Sequence, residues 1–326
     1  MPEETPSPRR VLVTGGAGFI GSHTVDQLLA QGDEVLVVDS LATGKIENLD
    51  SASAFSSFRF EQLDVARSDA FCRTTEAFRP HAIIHLAALV SVQESIQNPA
   101  LNFERNVLAT QSVIDAAQRC QVENVVFASS AAIYGDNPDL PLKESAEKRP
   151  LSPYGGAKLA SEALLLAAAN TYHFTVTANR YFNVYGPRQD PKSPYSGVMS
   201  IFLDRFTQGI APTVFGDGAQ TRDFINVQDV ARMNVLAASS TLPGFHAFNV
   251  CTGKATSLLD IIDVLREHFP NVPETTFKEA RAGDIIHSLG SPESARGKLG
   301  FRAQVSLNEG LAHYLQTTTS VTSQLP

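Results

Sequence analysis

The sequence predicts an α/β fold, a doubly wound parallel sheet with a smaller interleaved α/β portion, on three observations. A glycine loop joins the first strand to the first helix; short apolar runs then alternate with helical periods; and polar residues recur at or just past the strand ends. Arg9-Arg10-Val11-Leu12-Val13 reads as a short buried strand, and Thr14-Gly15-Gly16-Ala17-Gly18-Phe19-Ile20-Gly21 turns it into an amphipathic helix ending near Gly32. Glycines at 16, 18 and 21 satisfy the G-x-G-x-x-G spacing, which lets backbone approach a pyrophosphate and aims a helix N-terminus at its charge. Glu34-Val35-Leu36-Val37-Val38-Asp39 follows as a second strand with an acid at its end. A carboxylate there accepts ribose hydroxyls and repels a 2′-phosphate, so NAD is expected over NADP; the plainer alternative for Asp39 is a solvated strand end.

Further strands are expected at Phe58-Arg59-Phe60-Glu61, from His81 to Leu86, from Asn124 to Ala128 and from Phe174 to Ala178, with helices near 68–79, 99–120 and 153–172. That makes about six parallel strands wound both ways. Ligands collect beyond the carboxyl ends of such strands, where Gly15, Asp39, Asp64, Ala87, Ser130 and Asn183 all fall. Asp64 reads either as a loop cap or as a contact to an adenine amino group. Beyond Asn183 a turn-rich insertion runs through Tyr185-Gly186-Pro187-Arg188-Gln189-Asp190-Pro191 to Gly197 and resembles a substrate loop. A helix near 198–208, a helix from about Val227 and a strand near 246–250 that rejoins the main sheet follow. Ser257 and Asp260 suggest a capping box opening the helix through Phe269. The expected division is a cofactor domain over 9–183, rejoined by 224–252, and a substrate domain over 184–223 and 253–316, with loose tails at 1–8 and 317–326.

The chemistry is expected at Ser130, Tyr154 and Lys158. Residues four apart on a helix are neighbours, so Tyr154 and Lys158 present a phenol and an ammonium on one face. A cation beside a phenol favours the phenolate over its free pKa of about 10, giving a proton-transfer centre usable near neutral pH.

The chain has 326 residues, 43% of them hydrophobic, and a formal net charge of −8. The acidic balance, with no basic block, argues against nucleic acid as a partner. Cys72, Cys120 and Cys251 lack metal or redox spacing and are expected as reduced thiols in the core. No metal site is expected, because His23, His81 and His85 lack ligand spacing. The N-terminus shows no secretory signal and no apolar run spans a membrane, so a cytoplasmic enzyme without membrane contact is expected.

Together, Thr14 to Gly21, the Asp39 strand end, His85-Leu86-Ala87-Ala88, Ser129-Ser130-Ala131-Ala132-Ile133-Tyr134-Gly135, Tyr154 to Lys158, Tyr181-Phe182-Asn183, Gly216 to Asp223 and Arg281 to Asp284 carry a resemblance. Over roughly residues 9 to 316 the chain resembles the extended short-chain dehydrogenase/reductases, most closely the UDP-hexose 4-epimerases. The resemblance implies a Rossmann domain and a tightly bound NAD that is reduced and reoxidised within each turnover. It places the cofactor against Gly15, Gly18, Phe19, Ile20 and Gly21 on the first loop, and Asp39, Ser40, Thr43 and Gly44 after the second strand. Asp64 and Val65, Leu86, Ala87 and Ala88, then Asn106, Ser129, Tyr154, Lys158 and Tyr181 complete that set.

For catalysis the resemblance implies that Tyr154 takes the proton from the sugar O4 while hydride leaves C4. Lys158 stabilises the phenolate and hydrogen-bonds the nicotinamide ribose, and Ser130 holds or relays the O4 proton. Lowering a phenol from about 10 to 7 asks roughly 4 kcal/mol of the lysine and the nicotinamide together. The 4-keto sugar must turn over before hydride returns, so the ligand is anchored elsewhere: Arg222 and Arg281 grip the diphosphate, Asn183 donates to diphosphate or sugar, and Asp284 binds ribose or orients an arginine. Gly197 and Val198 line the substrate. Phe215 lies beside the uracil or serves the core.

Ala131 and Ala132 stand where sugar-nucleotide dehydratases carry an Asp-Glu pair and glucuronate decarboxylases a glutamate, which argues against both. Ser288 occupies the position that tunes pocket volume in the family, and a serine leaves room for a 2-acetamido group, so UDP-N-acetylhexoses are expected beside UDP-glucose and UDP-galactose. Val90 departs from the lysine of many glucose-type members. A UDP-glucuronate 4-epimerase, another NAD-dependent nucleotide-sugar enzyme, and a non-catalytic NAD-binding sensor remain as alternatives. The alanine- and leucine-rich helices near 99–120 and 153–172 suggest a homodimer, or pack on the sheet alone.

Overall fold

The computed structural model describes residues 8–190, 197–280 and 285–322. It divides into two compact units. One holds the chain up to Ser129 with Ser152–Asn179 and Ala231–Ala247; the other holds Ser130–Leu151, Arg180–Val230 and the chain from Phe248.

The first unit is built on β1 (Arg10–Thr14), α1 (Phe19–Ala30), β2 (Glu34–Asp39), β3 (Phe58–Gln62), α2 (Ser68–Phe78), β4 (Ala82–His85), α3 (Val92–Gln97), α4 (Pro99–Phe103), α5 (Ala109–Arg119), β5 (Asn124–Ser130), α6 (Pro153–Thr171) and β6 (Thr175–Tyr181). Its sheet has seven strands: the six of the first half, and β11 (Phe245–Val250), which returns to the edge beside β6 as the sequence suggests; the order is β11-β6-β5-β4-β1-β2-β3. Pairing is parallel between β3 and β2, β2 and β1, β1 and β4, and β4 and β5. The order reverses between β1 and β4, which is where a doubly wound sheet opens a crevice for ligands.

Both faces of this sheet are buried, and the strand period of two explains how. Leu12, Leu36, Val38, Ile83, Val125 and Phe127 face one helix layer, packed with residues of α2, α5 and α6. Val11, Val13, Val35, Val37, Ile84 and Val126 face the other, with α1 and the end of α8 (Val227–Ala238). The expected helix over 99–120 is interrupted: Glu104–Leu108 forms a π-turn between α4 and α5. Such turns are rare and are frequent at functional sites.

The second unit is assembled from shorter pieces: β7 (Asn183–Tyr185), α7 (Val198–Thr207), β8 (Thr213–Phe215), β9 (Thr221–Arg222), β10 (Phe224–Asn226), the start of α8, β12 (Thr256–Ser257), α9 (Leu258–His268), β13 (Thr276–Lys278), α10 (Glu293–Leu299) and α11 (Leu307–Thr322). β10 pairs with β7 and β13 with β8, both parallel, and β12 with β9 antiparallel. Their core gathers Phe202 and Phe206 of α7, Ile261 and Leu265 of α9, and Leu311 of α11 around Tyr185. The capping box at α9 forms as expected, with Ser257 and Asp260 each accepting from the other's backbone N–H. No described helix is long and apolar enough to cross a membrane.

Candidate active site

The glycine loop is closed by contacts that admit no side chain. A Cβ at Gly15 would lie 2.6 Å from the Ala87 nitrogen, and one at Gly21 would lie 2.1 Å from the Gly15 carbonyl oxygen. The first contact brings the β1 and β4 ends together; the second presses α1 onto the loop. Phe19 and Ile20 open α1, whose N-cap, Gly18, supplies no side-chain hydrogen bond, so the first-turn N–H groups keep their capacity for an anion.

Asp39 ends β2 buried, and its carboxylate is already in use: Oδ2 accepts from Ala17 N at 3.0 Å and Oδ1 from Leu41 N at 2.8 Å. Burial raises its pKa and these two donors lower it, the burial effect being the larger. Each oxygen retains a lone pair for a ribose hydroxyl. A Cβ at Gly44 would come within 2.9 Å of Oδ2, so the glycine keeps that side of the carboxylate open. Lys45 N and the Asn48 amide both donate to Ala17 O, binding the loop that carries Ser40 and Thr43 to the glycine loop. These residues fit a dinucleotide.

Asp64 does act as a loop cap, Oδ1 accepting from Ala66 N at 3.0 Å, with Val65 buried beside it. Leu86 N donates to Thr14 O and Ala87 N to Thr14 Oγ1, with Ala88 following on the same segment. Asn106, in the π-turn, has its amide fully engaged: Nδ2 donates to Leu89 O and Asn102 Oδ1, and Oδ1 accepts from Leu89 N. Its part is to hold the segment after β4.

α6 begins where its sequence allows: Ser152 caps Gly155 N, and Pro153 occupies the first turn, where it sacrifices no hydrogen bond. Two further bonds fix that end, Tyr154 N to Ser95 Oγ at 3.1 Å and Asn102 Nδ2 to Pro153 O at 3.0 Å. One turn on, Lys158 is buried with Nζ donating to Ala128 O at 2.7 Å, 5.9 Å from the Tyr154 ring centroid and 4.9 Å from that of Phe127. Burial pulls the amine down to about 7, and Glu162 acts in the opposite direction. Lys158 therefore gives up its proton more readily than an exposed lysine does. Ser129, next along β5, gives its hydroxyl to Glu162 Oε1 at 2.5 Å. Ser130 ends β5 and caps the turn Ala131–Ile133, its Oγ accepting from Ala132 N, which leaves the hydroxyl hydrogen to be donated.

His85 is fully buried at the end of β4. Its Nδ1 lies 2.8 Å from Thr14 Oγ1 and its Nε2 3.3 Å from Thr110 Oγ1, which donates onward to Asn106 O. That chain puts the proton on Nε2. Burial, then the Lys158 charge, hold the ring down to about 3, so it is neutral.

Within the second unit, Arg222 and Ser288 meet at Thr221: Arg222 Nη1 donates to Thr221 O and to Ile286 O, and Ser288 N donates to Thr221 O at 3.1 Å. Phe215 ends β8, half-buried, with its carbonyl held by the Gln220 amide. Asn183 opens β7, its N–H on Asp223 O, and Tyr181 is buried at the end of β6. Gly197 caps α7 and Val198 begins it. Arg281 and Asp284 lie outside the described residues.

Sequence reasoning missed two organising carboxylates. Glu162 was signalled only by falling four residues beyond Lys158. Asp223, wholly buried, accepts from Thr252 N and Oγ1, Gly253 N and Gly290 N, so it anchors β9 to the segment bearing Ser288. Nothing local in its sequence announces those distant donors.

Residues 11–251 match the NAD dependent epimerase/dehydratase family. The UDP-glucose 4-epimerase of Mycolicibacterium smegmatis is 38% identical over 304 residues, covering 93% of this chain and 96% of that protein. A UDP-N-acetylglucosamine 4-epimerase from Methanobrevibacter ruminantium, solved with UDP-N-acetylmuramic acid, superposes with a TM-score of 0.91 at 34% identity, covering 96% of this chain and 99% of that one. The Thermus thermophilus UDP-glucose 4-epimerase, solved with NAD, gives 0.84 at 38% identity, covering 95% and 99%. With the glycine loop, Asp39 and the Tyr154–Lys158 helix on one Rossmann unit, the chain belongs to the NAD-dependent epimerase/dehydratase family, among its UDP-hexose 4-epimerases.

Proposed function

We propose that this enzyme is an NAD-dependent UDP-hexose 4-epimerase that accepts UDP-N-acetylglucosamine and UDP-N-acetylgalactosamine as well as UDP-glucose and UDP-galactose. The observation that carries the reading is the Tyr154–Lys158 pair on α6, with the lysine held at 2.7 Å by Ala128 O and its amine near its titration point. Bound NAD supplies the oxidant, taking hydride from C4 and returning it to the opposite face.

Tyr154 removes the O4 proton and gives it back on inversion, Lys158 stabilises the intervening phenolate, and Ser130 carries the O4 proton with the hydroxyl hydrogen its capping bond leaves available. Gly15, Gly18, Gly21 and Asp39 hold the dinucleotide. Arg222, with Arg281 and Asp284, holds the diphosphate and ribose while the hexose stays free to rotate; Asn183 and Phe215 assist at sugar and base. In this reading residues 9–183 with 224–252 serve the cofactor, and 184–223 with 253–316 the sugar nucleotide.

Acceptance of the acetamido pair is supported by the small Ser288 and by the similarity to a UDP-N-acetylglucosamine 4-epimerase. A homodimer through the helices near 99–120 and 153–172 is supported by exposed Phe103, Leu108 and Leu166. Incubating the purified chain with each of the four neutral UDP-sugars, without added cofactor, and separating the epimers tests the assignment. Interconversion within both pairs is expected; conversion of the glucose pair alone removes the acetamido claim, and conversion of none removes the whole reading.

A further inference from the structure

Glu162 lies one turn beyond Lys158 on α6, buried, with Ser129 Oγ 2.5 Å from its Oε1. A carboxylate at that depth is costly unless hydrogen-bonded and balanced by opposite charge. Ser129 provides the hydrogen bond. The opposite charge within its electrostatic reach is Lys158, four residues before it on the same helix, which Glu162 favours in its charged form and which is enclosed by Ala128 O, the Phe127 ring and the Tyr154 ring. The titratable groups facing the lysine are Tyr154 and Glu162 from its own helix and His85 from β4, and His85 is neutral.

We propose that Glu162 is a positioning residue: its carboxylate, clamped by Ser129, is the counter-ion that keeps the Lys158 ammonium charged next to Tyr154. It acts on the reaction only through the lysine. Without it, the phenolate of Tyr154 loses its partner across most of the neutral range. The inference rests on the proposed roles of Tyr154 and Lys158, and its consequences can be separated from theirs.

Glu162→Gln keeps the shape and an oxygen for Ser129 while removing the charge. The first measurement is the thermal midpoint of the cofactor-free chain between about pH 6 and about pH 10. The folded pKa of Lys158, about 7, lies below its ordinary 10.5, so the fold favours the neutral amine. The stability tied to this group is complete above about pH 10.5, declines as pH falls toward 7 and levels off below. In E162Q the folded value drops further, so the decline continues to lower pH, and the gap between wild type and variant widens from about pH 8 to about pH 6. In a Lys158→Met background that widening disappears.

The second measurement is kcat and KM of the holoenzyme against pH. The alkaline limb of kcat is expected to move acidward by about one unit, with KM within about twofold, and Glu162→Asp is expected to recover part of the shift. Should E162Q fail to fold, Ser129→Ala, which loosens the carboxylate without removing it, is expected to move the limb the same way by less. A stability gap independent of pH, one that persists with Lys158→Met, or an unmoved limb in the variant measured overturns the proposal. A Tyr154→Phe chain that still epimerises overturns the assigned chemistry instead, and leaves the stability result standing.

Discussion

In the first unit β1 sends Leu12 to one helix layer and Val11 and Val13 to the other, whereas in the second unit β9 and β10 span two and three residues and lean on one buried carboxylate, Asp223. The first arrangement spreads stability over many apolar contacts of similar kind. The second adds to its own apolar core one buried carboxylate that fixes several loop backbones at once. The units also divide the proposed labour. In the proposed reading Tyr154 and Lys158, which serve the reacting carbon, sit on a helix anchored at Ser95 and Asn102; Arg222, which grips the shared nucleotide, and Ser288, which bounds the sugar, sit on short irregular segments. A rigid scaffold for chemistry and an adaptable one for recognition follow from what each sequence segment can bury.

The largest expected effect tests the first half of that division. Tyr154→Phe removes the proton acceptor and leaves the helix intact, so kcat is expected to fall on the order of a thousandfold, about 4 kcal/mol, with both sugar pairs affected alike and KM little changed. Steady-state kinetics on UDP-glucose and UDP-N-acetylglucosamine check it. A loss confined to one pair would break the separation of chemistry from recognition.

The two modes of stabilisation are contrasted by Asp223→Ala and Val126→Ala. The first leaves the N–H groups of Thr252, Gly253 and Gly290 without their shared acceptor, Gly290 being buried and Thr252 half-buried, and is expected to cost about 3 kcal/mol, since an unsatisfied buried donor costs about 1 to 3. The second deletes two methyl groups from a wholly buried strand position and is expected to cost about 2. Denaturant titration of both variants ranks them; a costlier Val126→Ala would show that the second unit is less dependent on its carboxylate than its geometry implies. Gly21→Ala belongs beside them. Its Cβ would meet the Gly15 carbonyl at 2.1 Å, so α1 must shift, at a cost on the order of 2 kcal/mol, and the NAD that co-purifies, read by absorbance after release, is expected to fall.

The same contrast explains what could be read in advance. The strands of the first unit are legible because a sheet covered on both sides demands continuous apolar runs, and the glycine loop because backbone contact at Gly15 and Gly21 admits no other residue. The π-turn at Glu104–Leu108 was not legible: it carries the Asn106 amide to the distant Leu89 backbone, a partner invisible to a helical period. Glu162 and Asp223 escaped for a related reason. A carboxylate on a helix face or after a short strand ordinarily reads as solvated, and only the folded chain reveals that Ser129, or Thr252 and Gly290, come to meet it. The depth of Lys158 was not legible either, because spacing gives neighbours and not burial, and burial lowers its pKa to about 7.

The smallest expected effect is also the most selective. Ser288 hangs from the Thr221 carbonyl through its own N–H, so its backbone is fixed whatever side chain it bears, and it shares that anchor with Arg222. Ser288→Tyr adds a ring at a partly open position without breaking either bond. If that position bounds the sugar site, kcat/KM for the acetamido pair is expected to drop at least about tenfold, about 1.4 kcal/mol, while the glucose pair stays within about threefold. A change in folding or in the grip of Arg222 would lower both pairs together, because both ligands share the nucleotide. The ratio of the two kcat/KM values, more than either alone, therefore reports whether this residue gates volume.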